Sequence, residues 1–214
     1  MFKQFRHDVH SQNGEDGIIA NILTRLPTST LTKWAVEFGT LDGKIYSNTL
    51  NLVKQGWHSV MIEGDPAQTE ALHNTAKEFP TIIPIIAFVA RTAEEENSLF
   101  NLLKTTDVPE DFDVLSIDID TYDSDVWESF VGYNPKIVVI EINSDTPVGV
   151  HHRHVEGAIS GGTSFSEMLN VGTNKGYTLV CHTGNCIFVR NDLISHLGMP
   201  QNLLDNPNSL FKGP

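Results

Sequence analysis

Val36-Glu37-Phe38-Gly39-Thr40-Leu41-Asp42-Gly43 is the stretch that decides the fold. An apolar run, 34–38, carries an acid near its end and breaks into a loop with a glycine on either side of Thr40-Leu41-Asp42. Further on, a second apolar run, Ser59-Val60-Met61-Ile62, ends in Glu63. A strand, a glycine-containing turn, a helix and an acid closing the next strand form the half-site that α/β proteins offer to an adenosine-containing cofactor. The glycines let the backbone approach the ligand, and the acid accepts hydrogen bonds from ribose hydroxyls. The pattern is not G-x-G-x-x-G, which disfavours a nicotinamide dinucleotide. S-adenosylmethionine, which has no pyrophosphate needing a helix N-terminus, is the cofactor the pattern leaves.

Outward from this core, strands alternate with helices. Strands are expected at 33–38, 58–63, 82–87, 113–120 and 136–142, with Pro84 marking the third as an edge strand. Helices are expected at 14–26, from Ser47 or Asn48 to 54, 66–77, 92–104, 123–130 and from a Thr163 cap to 175. Two late runs, 177–181 and 186–190, read as a hairpin across His182-Thr183-Gly184-Asn185. The expected fold is α/β: a mostly parallel Rossmann-like sheet with a C-terminal antiparallel hairpin and helices on both faces. One domain is expected over 1–214, its core spanning about 11–190, with 191–214 a polar tail packed on the surface.

At 214 residues the chain can bury a sizeable core. Fourteen basic against twenty-seven acidic side chains give a net charge of −13. That disfavours a broad phosphate-binding surface, so nucleic acid is not the expected partner. No apolar run approaches a membrane span, and the N-terminal residues lack the apolar centre of a signal peptide. Two cysteines, Cys181 and Cys186, are too few to staple the chain; they read as apolar fillers in neighbouring strands, with a reducing cytoplasm as the expected setting.

Several blocks together resemble a known family. They are Ser11-Gln12-Asn13-Gly14-Glu15-Asp16-Gly17, Val36 to Gly43, Ser47-Asn48-Thr49, and Gly56-Trp57 through Glu63-Gly64-Asp65-Pro66. Asp113-Val114-Leu115-Ser116-Ile117-Asp118-Ile119-Asp120, Val138-Val139-Ile140-Glu141-Ile142-Asn143 and Phe188-Val189-Arg190 continue the series. In this order and spacing the blocks are similar to the FkbM-type branch of class I S-adenosylmethionine-dependent methyltransferases. The resemblance implies methyl transfer to hydroxyl groups of sugars, polyketides and other small molecules.

The candidate site follows. Glu37 is expected to orient the methionine end of the cofactor or, alternatively, to organise the turn. Gly39, Thr40, Asp42, Gly43 and Asn48 would line the turn, and Glu63 would take the ribose. Gln12 would close over the cofactor, and Phe88 would stack on adenine. Asp118 and Asp120 lie two apart, as do Glu141 and Asn143. Strand periodicity puts each pair on one face at the C-terminal edge, where α/β folds bind ligands. Asp118 can face the cofactor, or all four can hold Mg²⁺ or another divalent cation that lowers the pKa of an acceptor hydroxyl. Asp120, His151 and His152 are the candidate bases, the histidines lying in a loop, 143–162, expected to act as a lid. The leading expectation is an O-methyltransferase acting on a small-molecule or sugar hydroxyl. The competing ones are a metal-dependent hydrolase built on the same carboxylates and a non-catalytic module keeping the fold.

Overall fold

The computed structural model describes residues 1–157 and 161–211. Seven strands form one sheet: β1 (Trp34–Phe38), β2 (His58–Glu63), β3 (Ile82–Ile86), β4 (Val114–Ile117), β5 (Ile137–Glu141), β6 (Tyr177–His182) and β7 (Asn185–Arg190). Their order is β3-β2-β1-β4-β5-β7-β6. The first five run parallel, and β7 inserts antiparallel between β5 and β6. The chain winds outward from β1 to β3, then returns past β1 to lay down β4. The crevice at the C-terminal ends of β1 and β4 is therefore the topological switch point of the sheet.

The central strands read as continuous apolar runs because both their faces are covered. Val36, Phe38, Val138 and Ile140 pack with Trp127 and Phe188 in one core. Ala35, Ile137 and Val139 pack with Ile18 and Ile22 of α1 (Glu15–Arg25) in the other. Among the described residues the remaining α-helices are α2 (Leu50–Val53), α3 (Thr69–Glu78), α4 (Leu99–Leu103), α5 (Asp123–Ser129), α6 (Phe165–Asn174), α7 (Ile194–Leu197) and α8 (Gln201–Asp205). Among the described residues no helix is long and apolar enough to cross a membrane.

Four elements depart from the sequence reading. The helix expected at 92–104 is only α4, because Thr92 bonds Glu95 in a local turn and Ser98 supplies the cap. The cap of α6 is Ser164, whose Oγ accepts from Glu167 N at 3.4 Å. Thr163 instead exchanges a hydroxyl bond with Ser124 at 2.5 Å. Strand β4, expected to reach 120, ends at Ile117, before Asp118 and Asp120. The C-terminal segment is not a surface tail: Leu193, Leu197 and Leu210 are buried, and Phe211 packs on Phe165 and stacks on His182.

At the opposite edge of the sheet from the switch point, Lys136 is wholly buried and pairs with Asp113 at 3.0 Å, off the direction of a true hydrogen bond, and with Asp111 at 3.1 Å. Asp113, also buried, accepts from Thr32 N and Lys33 N at 2.9 and 2.6 Å and so ties the entrance of β1 to that of β4. Removing one member of such a pair leaves an uncompensated buried charge. Lys136→Met should cost about 3–5 kcal/mol of stability in urea unfolding; a loss below about 1 kcal/mol, the range of exposed pairs, would show that the pair is not a structural tie.

Candidate functional site

The site is built on Glu37. At the end of β1 and 4% exposed, it accepts from Ser47 Oγ and Thr49 Oγ1 at 2.6 Å and from Asn48 N at 2.7 Å. Ser47 Oγ in turn accepts from Thr49 N and Leu50 N at the start of α2, whose N-cap position is Thr49 and not Ser47 or Asn48. The loop after β1 is thus folded around one buried carboxylate. Burial raises the Glu37 pKa, and the three hydrogen bonds offset only part of that rise. Gly39, at φ +76°, donates to Ile62 O at 3.1 Å; a Cβ there would lie 1.6 Å from Asp118 O. Only glycine lets β1 and β4 close up at this point.

Glu63 ends β2 in the same way. Its two oxygens accept from Leu41 N and Asp65 N, each at 2.7 Å. Asp65 caps the turn at Pro66 by accepting from Ala67 N at 2.9 Å. Gly64 lies under Phe88, whose ring would meet any added Cβ at 2.4 Å.

At the ends of β4 and β5, Asp118, Asp120 and Glu141 each place a carboxylate oxygen within 4.8 Å of the others. The convergence is real, but strand periodicity does not cause it. Asp118 and Asp120 follow β4 in a loop held by Asp123, which is buried and accepts from Ile119 N at 2.8 Å and Thr121 N at 3.0 Å. Asp120 takes φ +61° there. Burial, and then Glu141, raises the Asp118 pKa, and the two side chains share a hydrogen bond. Burial, and then Asp120, raises Glu141, and burial lifts Asp123 to about 6.

These four strand ends enclose a cavity of about 700 Å³. Of the sequence candidates, Gln12, Glu37, Gly39, Thr40, Asn48, Glu63, Phe88, Asp118, Asp120 and Glu141 line it. Asp42, Gly43, Asn143, His151 and His152 do not. Asp42 closes the turn by accepting from Lys44 N and Ile45 N, and Gly43 packs against Leu72 and Met61. Asn143 is engaged by Gly161 O and Asp145 N. His151 is exposed and pairs with Glu167 at 3.0 Å, and His152 bonds Ser164 through its backbone. The loop that carries them is held by Arg153, which pairs with Glu167 at 2.8 Å and Glu128 at 2.5 Å; 158–160 lie outside the described residues.

The sequence reading missed Leu41, Ile45, Tyr46, Ile119 and Tyr122 on the wall. Leu41 and Tyr46 sit at φ +51° and +58°, left-handed values that no side-chain pattern announces. Thr40 Oγ1 and Asn48 Oδ1, on two residues that line this wall, are buried without a hydrogen-bond partner among the described residues.

The N-terminal domain of EvdMO1, solved in the presence of SAH and D-fucose, matches with a TM-score of 0.51 at 13% identity, over 84% of this chain and 82% of that one. The chain has the Rossmann-like fold of class I methyltransferases. The CMeT domain of the citrinin polyketide synthase also matches at a TM-score of 0.51 and 12% identity, over 86% of this chain and 55% of that one. No family model matches the sequence, and no curated protein matches it.

The raised carboxyls have a measurable consequence. A carboxyl whose folded pKa exceeds its unfolded value contributes stability below the unfolded value and loses it as pH rises through the folded one. For Asp123, Glu141 and Asp118 that window opens near the ordinary carboxylate value of about 4 and closes near about 9 for Asp118. The melting temperature should therefore fall across this window, and Asp118→Asn should flatten its alkaline part. A wild-type profile that is level or rising there would refute the arrangement.

Proposed function

We propose that the protein is an S-adenosylmethionine-dependent O-methyltransferase of the FkbM type, its site carried by one domain and its acceptor a hydroxyl of a small molecule or sugar. The observation that carries the reading is Glu63, a carboxylate fixed by two backbone amides at the wall of a cavity on the switch point. Each oxygen keeps a second lone pair for a ribose hydroxyl. Thr40 and Asn48 line the cavity where the cofactor's polar end would lie and Phe88 where its adenine would, and Gln12 reaches the cavity from the N-terminal segment. The EvdMO1 domain, solved with SAH and D-fucose, supports both the cofactor and a sugar-like acceptor. Cys181 and Cys186, free and buried, suit a reducing cytoplasm.

S-adenosylmethionine, when bound, supplies a methyl group activated by positive sulfur. The chain's own contribution is alignment and proton removal. Asp120 is the most exposed of the three converging carboxylates, and in this reading it takes the proton of the acceptor hydroxyl. His151 and His152 lie off the wall and are not assigned to this step. Glu37 works through the loop and is a positioning residue.

Glu63→Ala should weaken S-adenosylhomocysteine binding by roughly 1–3 kcal/mol, the cost of leaving polar partners unsatisfied. Calorimetry on the folded variant checks this, and an unchanged affinity would remove Glu63 from the cofactor site.

A further inference from the structure

Asp125, on the first turn of α5, is shared by two loops that are distant in the chain. Its side chain is 12% exposed; Oδ2 pairs with Arg91 at 2.7 Å and Oδ1 with Arg153 at 3.2 Å. Arg91 belongs to the loop after β3, whose Ala87, Phe88 and Val89 line the cavity. Arg153 belongs to the loop after β5, and none of its described residues, 143–157, lines the cavity. Isolated exposed ion pairs contribute little, but Asp125 is largely withdrawn from water and each of its oxygens holds a different guanidinium.

Tyr122, the residue before α5 and part of the cavity wall, joins the same two loops by a different kind of contact. The Arg91 guanidinium lies over its ring, 4.6 Å from the centroid. The ring of His154, which is buried, meets it at 4.6 Å with the planes 74° apart. A cation on an aromatic face and a second ring set nearly perpendicular both favour one placement of the phenol. Two more contacts tie the loops to the same helix: Ser129 Oγ donates to Arg91 O at 3.2 Å, and Arg153 pairs with Glu128 at 2.5 Å. The loop on the ligand side and the loop behind it therefore share α5 through ion pairs and ring contacts together.

A ligand seated against Phe88 orders 87–91, and with it the Arg91 guanidinium. Asp125 and Tyr122 are then held where Arg153 and His154 meet them, so the second loop loses less freedom in docking. The effect is reciprocal: a docked second loop favours the ligand. We propose that Asp125 and Tyr122 couple the loop 147–155 to the cavity, so that a ligand on the Phe88 side orders a segment it does not touch. Asp125 acts through Arg91 and Tyr122 and is a positioning residue. With S-adenosylhomocysteine as the ligand the proposal rests on the methyltransferase reading; the link between the two loops does not.

Amide hydrogen exchange followed by NMR tests both. The reporters are Gly149 N and His152 N, which donate to Ser166 Oγ and Ser164 Oγ at 2.7 and 3.0 Å, with Thr183 N in the β6–β7 turn as the control. In ligand-free protein Arg91→Ala, and separately Asp125→Asn, should speed exchange at both reporters by about threefold or more and leave Thr183 unchanged. A role for Arg91 confined to its own loop would move neither reporter. Saturating S-adenosylhomocysteine should slow both reporters in the wild-type protein by about the same factor, and this slowing should be lost in Arg91→Ala. Reporter rates untouched by Arg91→Ala, or raised equally at Thr183, would overturn the proposal. So would S-adenosylhomocysteine that binds the wild-type protein by calorimetry and leaves both reporters unchanged. If calorimetry shows no binding, the methyltransferase reading falls, while the ligand-free comparison still decides the link between the loops.

Discussion

The site depends on a carboxylate buried at the end of a central strand. Glu37 accepts three hydrogen bonds from Ser47, Asn48 and Thr49, two of them from hydroxyl groups and one from a backbone amide. An ionised carboxylate withdrawn from water is costly unless its lone pairs are filled. The loop between β1 and α2 fills them, and in doing so it takes one shape. That shape presents Asn48 to the cavity and places Leu41 N on Glu63, so the first strand end is coupled to the second. It also holds Leu41 and Tyr46 in left-handed backbone conformations, each costing about 1–2 kcal/mol for a residue with a side chain. Strain of this kind persists where surrounding contacts over-determine the backbone.

A second carboxylate does the same for the other half of the crevice. Asp123 is buried at the start of α5 and gathers the amides of Ile119 and Thr121, which turns Asp118 and Asp120 back toward Glu141. The N-terminal segment is ordered by a third: Asp16 accepts from the amides of Val9, His10 and Ser11, and Gln12 follows on the cavity wall. Buried acids that organise loops leave few cations near the ligand, and the cavity inherits the negative balance of the whole chain.

Much of this was legible in the sequence, because apolar runs and turn residues are local. The strand positions, the antiparallel hairpin, the Gly39 turn and the acids Glu37 and Glu63 follow from periodicity and from where acids interrupt it. What was not legible depends on partners distant in the chain. Thr92 and the acids after it look like a helix start, yet Thr92 turns onto Glu95 and the helix waits for Ser98. Asp118 and Asp120 converge on Glu141 through the Asp123 loop and a positive φ, not through a pleat. Asn143, in step with Glu141 by periodicity, leaves the sheet to pair with Ser164 and is lost to the site. The C-terminal residues look polar on average, but Leu193, Leu197 and Leu210 find gaps in the two cores that only the folded sheet defines.

The central claim is that loops pinned by Glu37 and Glu63 form a cofactor site at the switch point. Hydrogen exchange with and without S-adenosylhomocysteine tests it most directly, because the amides of Leu41, Asn48 and Asp65 are the ones these two carboxylates hold. The account predicts that saturating ligand slows exchange at these three amides and leaves those at the β6–β7 hairpin unchanged. Exchange that is unaffected at all three, or slowed only away from the crevice, would contradict it.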